Sequence, residues 1–324
     1  MPDLILSPLA IIAGCVLLYV GGDMLVSAST LIADRIGMSP IAIGATIVAV
    51  GTSAPELSVS LDAALTGHSD VSVGNIVGSN VCNIIFVLGL CGIFSQLRAS
   101  REVVRIDFPI LIFVSGVFTW MISDHLISRG EGVALITGLF VYVVWNLRRA
   151  AEDDEIEELL TEEVAQALQQ KKDGRTWVGP VLRTVGGILL LGLGAKWLVS
   201  GSLQALQPFD LSEAAIGLTI VALGTSVPEI GTSIIAARKG HGDLAVGNAI
   251  GSSVFNLIGV LGVTACIKPL EAYDVSLIDG AILIAVSFAG LVLVARPQGI
   301  GRLQGSVLVT VYGLYVFTAV ASPS

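Results

Sequence analysis

The sequence predicts an all-helical polytopic membrane protein, with ten transmembrane helices arranged as two inverted five-helix repeats. Three observations carry that prediction. The composition is too apolar for a soluble domain, the chain divides into ten apolar stretches of spanning length, and its two halves repeat one another. Of 324 residues, 54% are hydrophobic and 13% charged, with a mean hydropathy of +0.86. A soluble domain carries about 25% charged residues, so this chain cannot clothe itself in a polar surface. The same composition excludes a disordered chain. A net charge of −9 without a basic stripe argues against a nucleic-acid partner.

A helix needs about 20 mostly apolar residues to cross the hydrocarbon core. In chain order such stretches lie near 5–32, 40–66, 71–95, 104–122 and 130–148, then 179–206, 213–237, 243–266, 275–295 and 303–321. The first lacks a positively charged leader and runs on too long for a cleavable signal, so it reads as a span. Cys15, Cys82, Cys91 and Cys266 all fall inside apolar runs, without a CxxC pair, and read as small apolar fillers. Between the fifth and sixth spans lies a long polar stretch that opens AEDDEIEELL from Ala151. Ile156, Leu159, Leu160, Val164 and Leu168 recur in it at helical spacing, which suits a short amphipathic helix in a solvated connector. The acid spacing and central glycine of an EF-hand are missing. The chain thus divides into a first repeat (1–148), an acidic connector (149–178) and a second repeat (179–324).

Ten spans place both termini on one side of the membrane, and the distribution of basic residues says which side. One set of loops holds Arg35, Arg98, Arg101, Arg105, Arg148, Arg149, Lys171, Lys172, Arg175, Arg238, Lys239, Arg296 and Arg302, with Arg183 at a helix edge. The opposite set holds Arg129 and Lys268, while Lys196 lies within a span. Both termini are therefore expected outside, with the connector in the cytoplasm.

A shift of 173 residues superimposes Ala42–Gly89 on Ala215–Gly262 without a gap, and roughly three-fifths of the aligned positions are identical. Each half holds five spans. Five is odd, so the second half enters the membrane from the opposite side, which makes the halves inverted repeats. Secondary transporters are often built this way, with the site at the repeat interface near the midplane. Channels can share the symmetry, so it locates a site without proving transport.

The most similar stretches are also the most polar within the spans. GTSAPE at 51–56 returns as GTSVPE at 224–229, and GNIVGSNVCN at 74–83 returns as GNAIGSSVFN at 247–256. Glu56 and Glu229 fall near the middle of spans two and seven, where an unpaired carboxylate costs at least a few kcal/mol. Each motif offers a cation its partners. Pro55 has no N–H for the carbonyl of Gly51, and Pro228 has none for that of Gly224, so both helices should break there. Thr52 and Ser53 share a turn with Glu56, as Thr225 and Ser226 do with Glu229. Asn75, Ser79 and Asn83 form a stripe spaced by four in span three, and Asn248, Ser252 and Asn256 repeat it in span eight. All are hard oxygen donors, which suit calcium, sodium or magnesium rather than zinc or copper. Gly74 with Gly78, and Gly247 with Gly251, are small-xxx-small pairs that let helices approach closely. Two carboxylates together repel in a low-dielectric site unless one divalent ion, several monovalent ions or protons offset them, and that favours exchange over leak.

These paired motifs resemble the two alpha-repeats of the calcium/cation antiporter superfamily, which includes the sodium/calcium exchangers. The resemblance covers both halves and is strongest over the two repeat cores. It implies a fold in which spans two, three, seven and eight surround the ions while spans one and six slide past them. It implies calcium binding by Glu56 and Glu229, with Thr52, Ser53, Ser79, Thr225, Ser226 and Ser252 as further ion-coordinating positions. Several exchangers carry an aspartate at a position matching Asn83 or Asn256; here both are asparagine, leaving two formal negative charges. The implied activity is exchange of calcium for sodium by alternating access, in a bacterial inner membrane, with no cofactor and no obligatory protein partner beyond the bilayer. Proton-coupled exchange is the alternative, and a passive cation channel a more distant one.

Asp23 and Lys196 occupy equivalent positions of the two halves, where gating and snorkelling are both open. Asp70 and Asp243 read as helix N-caps, and Asp107 beside Pro109 as a helix-start carboxylate. Trp120, Trp145 and Trp177 fall near span ends, as interfacial anchors do. An intramembrane hydrolase is disfavoured. His68, His125 and His241 all fall in loops or at span ends, and neither GxSxG nor HExxH occurs.

Overall fold

A computed structural model describes residues 2–35, 49–150, 178–209 and 211–321. The described chain is almost wholly helical, as a bilayer requires, because within one only helices and closed barrels satisfy their own backbone polar groups. The first half runs α1 (Pro2–Arg35), α2 (Ala49–Thr52), α3 (Ala54–Thr66), α4 (Ser69–Phe94), α5 (Val103–Asp124) and α6 (Arg129–Ala150). The second runs α7 (Val178–Leu206), α8 (Glu213–Thr225), α9 (Val227–Arg238), α10 (Gly242–Ile267), α11 (Leu277–Val294) and α12 (Arg302–Ala321). Eight of these are long and apolar enough to cross a membrane, or nine when α8 and α9, bent by 49° at Ser226, are taken as one span. The span expected at 40–66 begins outside the described residues, and α2 with α3 is its described part. The helix expected in the connector also lies outside them, as does Trp177.

Two helices form the centre. α4 and α10 have most of their spanning windows buried, 83% and 72%, whereas α6 and α12 stand at the periphery with 11% each. Peripheral side chains such as Phe140, Leu303 and Phe317 are exposed, which in a bilayer means facing lipid. The core against α4 and α10 is made of Phe108, Phe118, Ile76, Ile84, Leu88 and Leu111 with their neighbours.

α1 and α7 lie against each other along a seam of glycines. A Cβ on Gly14 would stand 2.7 Å from the Leu198 nitrogen, and one on Gly187 would stand 3.1 Å from the Leu25 nitrogen. Gly14 and Gly187 are equivalent positions of the sequence repeat, as are Leu25 and Leu198, so the seam meets itself under exchange of the halves. Such close approach is the use of small residues between membrane helices, where packing replaces hydrophobic burial as the driving force.

Connections that should share a membrane face do meet. Leu126–Ile127 (β1) pairs antiparallel with Leu270–Glu271 (β2). His68 Nδ1 lies 2.7 Å from Glu213 Oε1, and the Asp70 carboxylate accepts the N–H groups of Tyr273, Asp274 and Val275 at 2.9–3.2 Å. Asp70 is thus a tie between two connections and not the cap of its own helix. Its carboxylate takes three donors there, more than a cap position would supply. On the opposite face Leu97 and Ile300 exchange backbone hydrogen bonds of 2.9 and 3.0 Å. Asp107 also departs from expectation: the helix is already under way at Arg101, and Asp107 is buried in a π-helical turn over Val103–Asp107.

Candidate ion-binding site

Both GTS-x-PE motifs break their helix at the serine. Ser53 (φ −88°, ψ 10°) separates α2 from α3, and Ser226 (φ −78°, ψ 5°) separates α8 from α9. Proline follows two residues later in each case, in the first turn of the new helix, where its missing N–H costs no ladder bond. Each carboxylate then stands one residue beyond the proline, in the first turn of α3 or α9. The anion is thereby placed at a helix N-terminus, where the backbone dipole favours negative charge.

Glu56 and Glu229 are fully buried, each with 0% exposure. They interact electrostatically with one another, and the hydroxyls of Thr225 and Ser226 approach the Glu56 carboxylate. None of these contacts is a hydrogen bond of regular geometry, because all four carboxylate oxygens lack a partner among the described residues. The same is true of the Ser53 and Ser226 hydroxyls and of both polar atoms of Asn83 and of Asn256, all at 0% exposure. These six side chains form three pairs under the repeat shift: Ser53 with Ser226, Glu56 with Glu229, and Asn83 with Asn256. An unpartnered buried polar group costs on the order of 1–3 kcal/mol, and a charged one more. Six such side chains in symmetric pairs form a buried set of hard oxygens, the kind that fits a hard cation.

Of the remaining predicted residues, Asn75, Asn248, Thr225 and Ser79 have protein partners. Asn75 Nδ2 donates to Ser60 Oγ at 2.9 Å, and its repeat equivalent Asn248 donates to Ser233 Oγ at the same 2.9 Å. Thr225 donates to Asn75 Oδ1 at 3.1 Å and lies 3.2 Å from Ser79 Oγ, so it links the two halves directly. That link depends on the glycines of α4. A Cβ on Gly78 would stand 2.4 Å from the Leu218 carbonyl oxygen, and one on Gly74 would stand 2.9 Å from that of Ala214. The two copies of the motif are not equivalent. Asn75, Ser79 and Thr225 are fully buried, whereas Asn248 and Thr52 are half-buried and Ser252 is 6% exposed.

A sequence profile described as sodium/calcium exchanger protein matches residues 6–148 and again 180–321, once over each half. The chain belongs to the sodium/calcium exchanger family. It is 34% identical to the putative antiporter CaxA of Alkalimonas amylolytica, over 98% of this chain and 100% of that protein. It is also 34% identical to the inner membrane protein YrbG of Escherichia coli (strain K12), over 96% of this chain and 98% of that one. Among solved structures it resembles the sodium-calcium exchanger NCX_Mj, with a TM-score of 0.63 and 28% identity over 97% of this chain and 99% of the other.

Within this exchanger-family chain the structure adds residues that the motif reading passed over. Ser60 and Ser233 hold the two asparagines, and their conserved spacing in both repeats was a usable signal. Asn83 lies in a π-helical turn over Cys82–Val87, and Asn256 opens another over Asn256–Val260. Such turns are frequent at functional sites, and nothing in the amino-acid order announces them. Asp23 and Lys196 are exposed and stand apart from the buried set; Lys196 interacts electrostatically with Asp62.

Proposed function

We propose that this chain is a secondary active cation antiporter that exchanges calcium for sodium at a site between Glu56 and Glu229. The observation that carries the reading is the set of three symmetric pairs of buried, unpartnered oxygen-bearing side chains. Two carboxylates supply the charge for one divalent ion. Ser53, Thr52, Ser79, Asn83 and their equivalents Ser226, Thr225, Ser252 and Asn256 supply the neutral oxygens that monovalent ions need. Gly51, Pro55, Gly224 and Pro228 keep the helix breaks that aim these groups inward. No resident cofactor is needed; calcium and sodium are the cargo.

In this reading the chain forms ten spans as two inverted repeats, 1–148 and 179–324, joined by a cytoplasmic connector, with both termini outside a bacterial inner membrane. The unequal burial of the two motif copies supports alternating access, since a symmetric sequence in an asymmetric structure has a second arrangement with the roles exchanged. The names of NCX_Mj and of the antiporter CaxA support ion exchange. Proton coupling remains the second reading, because the asparagines at 83 and 256 leave two carboxylates that two protons could also neutralise.

The test is calcium-45 uptake into proteoliposomes under an outward sodium gradient, with a proton gradient in parallel. Sodium-driven uptake is expected, with a loss of about a hundredfold or more in Glu56→Gln and in Glu229→Gln, the scale of losing a buried charge from its partner. Uptake driven by protons alone would change the coupling ion, and uptake without any gradient would make the protein a channel.

A further inference from the structure

We propose that the arginine-lined cavity between the α4–α5 and α11–α12 connections is a binding site for the headgroup of an anionic phospholipid of the adjoining leaflet. The cavity is about 540 Å³, and Arg98, Arg101, Arg105 and Arg296 are among the residues that line it. Basic residues at this face are expected of any membrane protein; their convergence on one cavity from two connections distant in sequence is not. All four arginines are exposed, and none has an ion-pair partner among the described residues.

The frame that holds them is firmly built. Leu97 and Ile300 exchange two backbone hydrogen bonds, and the Gln96 side chain donates to the Gln298 carbonyl. Gly299 sits at φ +60°, and a Cβ there would fall 1.8 Å from the Leu97 carbonyl oxygen, so glycine alone permits this approach. Ser100 accepts the N–H of Val103 at 3.3 Å, which sets the start of the helix at Arg101 and aims its positive end at the same side as Arg98 and Arg101.

The ligand class follows from the walls. Four guanidiniums select a phosphate, which they can grip bidentately. The rest of the lining is apolar, from Val104, Val294 and Ala295. Further along α5 and α11, Phe113, Phe288 and Val292 are exposed and in a bilayer would meet lipid. A free phosphate ion has no use for that wall, whereas a phospholipid uses both parts. Basic pockets between helices at this face are a known means of holding anionic headgroups.

The experiment measures lipid retention on the purified full-length protein by native mass spectrometry, with phosphatidylglycerol or phosphatidylcholine supplied in the detergent. The double variant Arg101→Gln/Arg105→Gln is compared with Lys239→Gln/Arg302→Gln, which removes equal charge from the same face outside the cavity. Arg296→Gln tests the opposite wall. Phosphatidylglycerol retention is expected to fall about tenfold or more in the first double variant, to fall in Arg296→Gln, and to change less than about twofold in the second. Equal loss in both doubles, equal retention of phosphatidylcholine, or displacement by millimolar inorganic phosphate would overturn the proposal. The readout is binding and not flux, so its outcome is separate from that of the exchange reading.

Discussion

The buried asparagines of the two repeats divide by what they touch. Asn83 and Asn256 have no protein partner among the described residues, whereas Asn75 and Asn248 each grip a serine, and Asn75 also receives Thr225. From sequence all four sit on equivalent stripes and read alike. The difference predicts different mutants. Asn75→Ala removes one hydrogen bond each from Ser60 and Thr225, which keep the carbonyls of Ser72 and Ala222, at about 1 kcal/mol for each bond lost. Its melting temperature is expected to drop by several degrees at about 2–4 °C per kcal/mol, with calcium still stabilising the protein. Asn83→Ala leaves no protein group unpaired, so it should keep its melting temperature and lose calcium stabilisation instead. Thermal unfolding with and without calcium separates the two, and equal behaviour would mean that the brace and the ligand positions have been confused.

At the level of helices, the seam between α1 and α7 and the crossing of α4 with α8 both rest on glycine. These contacts differ in kind from the oily faces around them, because here backbone meets backbone. Gly14→Val places methyls where the Leu198 nitrogen stands at 2.7 Å from the first added carbon. Overpacking of this sort costs about 1–3 kcal/mol, and it should slow exchange as well if these two helices slide. Gly192→Ala is the matched control, exposed on α7 with nothing described within 4 Å of its added carbon. Melting temperature and initial uptake rate are the measurements. A Gly14→Val protein as stable and as fast as Gly192→Ala would show that the seam is not tight in the membrane.

For the whole molecule, sidedness is the property that the apolar spans cannot set by themselves. The distribution of basic residues predicts a connector on the inside, and loops expected on one face pair with one another. Trypsin added to sealed right-side-out vesicles is expected to spare the connector, while inverted vesicles should be cut near Lys171, Lys172 or Arg175. Cleavage near Lys171, Lys172 or Arg175 in the right-side-out preparation would reverse the topology and, with it, the leaflet of the arginine cavity.

The sequence by itself determined the membrane class, the repeat, the helix breaks and the two glutamates. Each of these is a local property: twenty apolar residues span a bilayer, proline lacks an N–H, and a carboxylate at mid-span demands a reason. The tertiary structure decided which polar residues face one another. Hydrogen-bond partners such as Thr225 and Asn75 lie 150 positions apart, and no periodicity encodes that distance. It also decided that Asp70 ties two connections together, that Asn83 and Asn256 sit on widened turns, and that Arg98, Arg101 and Arg105 share one cavity with the distant Arg296. It broke the symmetry as well. Two nearly identical motifs have the same intrinsic preferences, so their unequal burial belongs to the packed assembly and not to either motif alone.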